Sequence, residues 1–197
     1  VYWPRMVDQF GSNLNVRVDA SASNSLVKSA VESLTHVGYF VVEGVLDAEF
    51  LAATRDSLLF VQKAIHQRVG VDKLEQAGEL GVLRLMMKYD AQFFKFLAIP
   101  EMLAIIDAYL SPTAVLHTQN GLVLPSYREG GSPRIFQNMF HQDFPRFLNA
   151  YVASLNVMFA ISEYTVSSGA TLVVPGTHLR KDRPSDDYLL SASIPIE

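Results

Sequence analysis

The most informative segment of the second half of the chain is Ser167-Ser-Gly-Ala-Thr-Leu-Val-Val-Pro-Gly-Thr-His178. It opens on turn-forming residues, continues as an apolar run and closes on a second turn at Pro175-Gly176. This pattern predicts a buried strand between two turns. The strand candidates of this part of the chain are residues 115–124, 138–143, 150–161 and 170–174. The second half of the chain is therefore predicted to be rich in β-structure.

The first half of the chain predicts helices around short strands. From Ser25 onward, apolar residues recur at helical spacing up to Gly38, where a helix can end in left-handed geometry. Asp47 is a good N-cap for a long amphipathic helix that runs to about residue 67. The other elements predicted there are strands at residues 39–42 and 81–89 and short helices at residues 91–98 and 100–110.

Helices followed by a run of strands form the α+β pattern, in which helices pack on the outside of a mostly β core. The length of 197 residues predicts a single domain over residues 1–197 rather than two. Residues 1–24 end in a polar stretch and are predicted to be a flexible N-terminal segment.

Composition narrows the classes of function. A formal net charge of -4 leaves no basic stripe for nucleic acid or for an anionic membrane, which favours a small-molecule substrate. The chain has no cysteine, so any metal must be bound through nitrogen and oxygen. No apolar run reaches the roughly 18 residues of a membrane helix, and no signal-peptide pattern opens the sequence. We therefore expect a cytoplasmic protein.

The segment Phe140-His-Gln-Asp143 places a histidine and an aspartate two residues apart on a predicted strand. Alternate residues of a strand project from one face, so His141 and Asp143 can share one ligand. An imidazole and a carboxylate with open positions beside them suit iron(II) bound by two histidines and one carboxylate. With 5 His and 11 Asp in the sequence, chance alone gives roughly 0.3 such pairs. The His-x-Asp pair therefore indicates a metal site only together with the surrounding sequence.

The two motifs together resemble the phytanoyl-CoA dioxygenase-like family of non-haem iron(II), 2-oxoglutarate-dependent oxygenases. That family carries a His-x-Asp strand and, downstream, a stretch close to N/S-G-x-L-x-V-x-P-G-S/T-H. The segment GYFVVEGVLD, residues 38–47, also resembles the family's N-terminal helix, strand and helix. The resemblance extends over residues 30–197.

The resemblance implies a double-stranded β-helix, a jelly roll of the cupin type, with the N-terminal helices packed outside. It implies an enzyme that uses iron(II), 2-oxoglutarate and dioxygen to hydroxylate a lipid-like, amino-acid-like or natural-product substrate. His141 and Asp143 match the family's first two iron ligands, and the aspartate argues against a halogenase. The third histidine and the arginine that pairs with 2-oxoglutarate are expected beyond residue 197, with the strands that carry them.

Other residues on the predicted strands have weaker assignments. Gln119 matches a position near which the family contacts 2-oxoglutarate, and an amide can bond a carboxylate. Phe159 matches a position that lines the co-substrate pocket, with core packing as the competing interpretation. His117 is expected to be a packed core histidine, and His178, after the Pro-Gly turn, is expected to be structural rather than a metal ligand.

A loop at residues 125–134 just precedes the ligand strand. Its Gly-Gly pair can serve as the hinge of a lid, in which case Arg128 or Arg134 can bind an anionic group of the substrate. A solvated surface loop is the alternative interpretation.

Two other functions remain open from the sequence. A cupin-type hydrolase or isomerase with zinc or manganese would need a further ligand near His141, for which Glu163 is the candidate. A non-enzymatic jelly-roll binding module is the other alternative.

Overall fold

A computed structural model describes residues 16–21, 23–124, 139–143, 148 and 151–197. The α-helices are α1 (Ser23–His36), α2 (Ala48–Val69), α3 (Val71–Gln76), α4 (Pro100–Tyr109) and α5 (Asp186–Ala192). Short 3₁₀ helices lie at Met86–Lys88, Ala91–Ala98, Val166–Ser168 and Thr177–Leu179. The strands are β1 (Arg17–Asp19), β2 (Val41–Glu43), β3 (Val82–Arg84), β4 (Asn120–Leu122), β5 (Leu172–Val173) and β6 (Ile194–Pro195).

The strands of the described residues pair two by two. β1 and β2 run parallel, with Val18 opposite Val42. β3 and β4 run antiparallel, with Leu83 opposite Gly121. β5 and β6 are antiparallel as well, so the apolar strand of the stretch 167–178 has its partner at Ile194–Pro195.

Helix α1 forms where the apolar spacing predicts it and packs against α4. Its buried face joins β1 and α4 in a small core of Val18, Leu26, Ala30, Leu34 and Ile105. Ser33 is fully buried on the same helix. Its hydroxyl donates to the carbonyl of Tyr39 at 2.6 Å, so this buried polar group is satisfied. The core and this bond fix the turn that leads from α1 to β2.

Helix α2 supplies the larger core. The Asp47 carboxylate accepts a hydrogen bond from the Phe50 N–H at 2.7 Å and caps the helix, as the sequence predicts. The buried core around α2 contains Leu58, Val61, Ile65, Leu74, Leu80, Leu83, Met86, Phe93, Phe96 and Ile99. Full burial of a side chain such as Phe93 stabilises the fold by about 2 kcal/mol or more. Among the described residues, none of the helices combines the length and the apolar character needed to cross a membrane.

The strand predicted at residues 81–89 is shorter in the structure. β3 ends at Arg84, because Leu85 adopts φ 56° and ψ 42°, which is left-handed geometry. A left-handed residue turns the chain out of the extended conformation. The chain continues as the 3₁₀ turn Met86–Lys88, and Leu85 stands at the corner with 68% of its surface exposed.

In the second half, β4 and β5 lie within the strand candidates 115–124 and 170–174. The described residues of the two other candidates, 139–143 and 151–161, are not assigned to strands. Residues 125–138 between β4 and the His141 segment lie outside the described part of the chain. The double-stranded β-helix stays a prediction.

The N-terminal segment differs in part from its prediction. Arg17–Asp19 forms β1 within the segment 1–24 that was predicted to be flexible, and α1 begins at Ser23. The reason is the parallel pairing of β1 with β2, a partner that the local polar composition does not reveal. Residues 1–15 and 22 lie outside the described residues.

Candidate functional site

His141 and Asp143 lie side by side. The Nε2 atom of His141 is 3.3 Å from Oδ1 of Asp143, and both side chains are open to solvent, at 39% and 51% exposure. The other ring nitrogen, Nδ1, is 2.7 Å from the Met139 carbonyl. Because a carbonyl only accepts, Nδ1 is the donor, and in the neutral ring the lone pair is then on Nε2. The imidazole therefore presents a ligand atom to the side on which Asp143 lies.

The two oxygens of Asp143 have different surroundings. Asn156 donates from Nδ2 to Oδ2 at 2.7 Å. Oδ1 faces the histidine ring. The amide thus holds the carboxylate in one orientation through the oxygen that is turned away from His141.

This arrangement fits a divalent metal ion. Two ligand atoms that each lie about 2.1 Å from a metal, at right angles, are roughly 3 Å apart, which is close to the 3.3 Å between Nε2 and Oδ1. Metal-binding histidines commonly donate their second N–H to a carbonyl, and metal-binding carboxylates are held by further hydrogen bonds. Both features are present at His141 and Asp143. Within the described residues, no third histidine, aspartate or glutamate joins the pair.

The segment of the pair contacts the Pro-Gly turn. Gln142, between the two candidate ligands, donates from Nε2 to the carbonyl of Thr177 at 3.4 Å, a long and therefore weak bond. The two sequence motifs, at residues 140–143 and 167–178, are thus neighbours in space.

The Pro-Gly turn also packs against the C-terminal end of α1. His178 donates from Nε2 to the Thr35 carbonyl at 3.1 Å, and the N–H of Gly176 donates to the Val37 carbonyl at 2.8 Å. Gly38, with φ 90°, lies against the His178 ring at a spot where a Cβ would have no room. This is the structural position that the sequence predicts for His178.

Gln119 and Phe159 lie next to the 3₁₀ helix Ala91–Ala98. Gln119 donates from Nε2 to the Phe93 carbonyl at 3.0 Å, and its Oε1 is buried without a partner among the described residues. A carboxylate only accepts hydrogen bonds, so the Gln119 amide can bind a carboxylate only through its second N–H. The Phe159 ring packs on Phe96 with centroids 4.8 Å apart, which supports the core interpretation. The roles of both residues toward 2-oxoglutarate stay predictions.

The remaining candidates have different outcomes. Arg128 and Arg134 lie outside the described residues. His117 is exposed, so the expectation of a packed core histidine is wrong: residues 112–118 precede β4 as an exposed segment and are not part of its ladder. Glu163, the candidate ligand of a cupin-type site, forms no group of three ligands with other described residues.

Asn156 is the site residue that the sequence reasoning missed. It is the polar residue of an otherwise apolar run, Leu155 to Ile161. A lone amide in a predicted strand calls for a hydrogen-bond partner, and this signal could have drawn attention to it.

Known proteins match this chain over most of its length. The family profile described as phytanoyl-CoA dioxygenase (PhyH) matches residues 34–193. Uncharacterized protein Rv1501 of Mycobacterium tuberculosis and Uncharacterized protein Mb1539 of Mycobacterium bovis are each 53% identical to it over 175 residues. The matched part is 89% of this chain, and the chain spans 64% of the length of either relative. No solved structure matches.

Proposed function

The chain belongs to the phytanoyl-CoA dioxygenase family, so we propose that it carries the His-x-Asp part of the site of a non-haem iron(II), 2-oxoglutarate-dependent dioxygenase. The observation that carries the proposal is the geometry of His141 and Asp143, with two candidate ligand atoms 3.3 Å apart. The fold proposed to complete the site is the double-stranded β-helix, and the proposed reaction is hydroxylation of a small molecule.

The residues of the pair have separate tasks in this proposal. Bound iron(II) with 2-oxoglutarate would supply dioxygen activation for the oxidation of a C–H bond. The Met139 carbonyl keeps the proton of His141 on Nδ1, so that Nε2 can bind the metal. Asp143 contributes Oδ1 and a negative charge that offsets part of the charge of the metal. Asn156 restrains rotation of that carboxylate through Oδ2.

The test is an anaerobic titration of the full-length protein with iron(II) in the presence of 2-oxoglutarate, followed through the visible metal-to-ligand charge-transfer band. We expect the band in the wild-type protein and its loss in His141→Ala and Asp143→Ala. His117→Ala and Asp182→Ala are matched controls, because each removes the same kind of side chain at an exposed position, and both should keep the band.

The possible results separate the alternatives. Absence of the band from the wild-type protein would refute the oxygenase proposal. Bound zinc or manganese without the band would favour a cupin-type hydrolase or isomerase, and neither metal nor band would favour a binding module.

A further inference from the structure

A cleft of about 320 Å³ lies between the C-terminal half of α2, α3 and the corner that follows β3. Its apolar surface comes from Ile65, Val69, Leu74, Ala77, Val82 and Leu85. Neither His141 nor Asp143 lines it, so it is distinct from the candidate metal site. Its volume lies at the lower end of the range of small-molecule pockets, about 300 to 1,000 Å³.

The charged side chains of the cleft are mostly cationic. They are Arg68, Lys73, Arg84, Lys88 and Glu79. Glu79 is already bound by Arg84 through two hydrogen bonds, of 2.9 and 2.7 Å. Arg68 donates to the hydroxyl of Tyr89 at 3.2 Å. No ion pair within the described residues involves Lys73 or Lys88.

Among the described residues, Arg68, Lys73 and Lys88 form no ion pair with a carboxylate. All three line one cleft, in a chain whose formal net charge is -4. Such a local concentration of one sign of charge beside apolar walls attracts ligands of the opposite sign. Because the chain as a whole carries a net negative charge, the excess of positive charge is local to the cleft.

The conformation of Leu85 is a second, independent observation. It is a non-glycine residue at positive φ, and its large apolar side chain is 68% exposed. Backbone strain of this kind concentrates at ligand-binding and other functional positions. In this case the strained corner presents an apolar side chain to the cleft.

We propose that this cleft binds a small organic anion that has an apolar body. Arg68, Lys73 and Lys88 bind its charged group, and the apolar floor with Leu85 contacts its body. The site is independent of the proposed dioxygenase function, since it shares no residue with the candidate metal site.

A matched pair of fluorescent probes tests both halves of the proposal. The compounds 8-anilinonaphthalene-1-sulfonate and N-phenyl-1-naphthylamine share the same rings and differ in the sulfonate. In fluorescence titrations of the full chain, we expect the sulfonate to bind at least about tenfold more tightly. The triple variant R68Q/K73Q/K88Q should lose about that factor for the sulfonate and bind the neutral probe as the wild type does.

Two further variants provide the controls. K28Q/K63Q/K181Q removes three exposed cations that do not line the cleft and should leave both affinities within about twofold. Leu85→Gly removes the apolar contact and relieves the positive φ, so both probes should bind more weakly to a protein that unfolds no more easily. Equal affinity for the two probes would overturn the proposal. An equal loss in the two triple variants, or sulfonate binding unchanged by R68Q/K73Q/K88Q or by Leu85→Gly, would also overturn it.

Discussion

Replacing Gly38 by alanine tests how the Pro-Gly turn is joined to α1. The new Cβ would lie 2.8 Å from Cγ and 2.9 Å from Cε1 of His178, and closer still to Nδ1. These separations are well inside van der Waals contact, so the ring must move, at a cost of about 1 kcal/mol or more. Its bond to the Thr35 carbonyl, now 3.1 Å, would break, with a loss of about 1 kcal/mol.

The left-handed backbone adds a further contribution. Gly38 has φ 90°, and an alanine in such a conformation costs about 1 kcal/mol. We therefore expect Gly38→Ala to lower the free energy of unfolding by about 3 kcal/mol, measured by urea denaturation.

Gly176 provides the matched control. It is left-handed, with φ 74° and ψ -4°, and a Cβ there would meet nothing within 4 Å. Gly176→Ala should thus lose only the conformational contribution of about 1 kcal/mol. In a His178→Ala background, Gly38→Ala should fall to the same value. A loss at Gly38 no larger than that at Gly176, or one that is the same with and without the His178 ring, would show that the ring does not oppose the new Cβ.

Two more predictions concern the carboxylates. Asn156→Ala removes the donor to Oδ2 of Asp143. It should weaken the binding of iron(II), measured from the charge-transfer band, by about tenfold and leave the midpoint of urea unfolding nearly unchanged. Unchanged affinity would mean that other groups hold the carboxylate. The Gln92 N–H and the Ser57 hydroxyl lower the pKa of Asp90 from its ordinary value of 3.8. Its ionised form therefore stabilises the fold above pH about 4, and this contribution is lost as the pH falls through the lowered pKa. Urea unfolding from neutral pH down to about pH 2 should show the difference between wild type and Asp90→Asn shrinking below pH about 4, and a constant difference would contradict the assignment.

The sequence predicts the features that depend on local chemistry. Asp47 caps α2 because its carboxylate reaches an N–H three residues later, and Pro100 begins α4 at a position where its missing N–H costs nothing. The side chains of His141 and Asp143, two residues apart, also lie side by side as predicted, although residues 139–143 are not assigned to a strand. Each of these signals lies within a few positions of the chain.

The features that the sequence did not predict depend on distant partners. The residues next to Leu85 do not predict the left-handed conformation that ends β3. Strand β1 forms because it pairs in parallel with β2. The hydrogen bond from Asn156 to Asp143 joins two predicted strands whose register no local pattern specifies. Such contacts depend on how distant segments pack together, which the sequence of a single segment does not specify.

The contact between the Pro-Gly turn and α1 also bears on folding kinetics. The hydrogen bond from His178 to Thr35 joins residues 143 positions apart. Closing so long a loop is entropically unfavourable until the cores around α1 and α2 are in place, so we expect this docking to form late, after the folding barrier. Gly38→Ala should then speed unfolding and leave the refolding rate nearly unchanged, and a slower refolding arm in stopped-flow measurements would contradict this order. On this view the turn governs how long the folded state lasts rather than how quickly it forms.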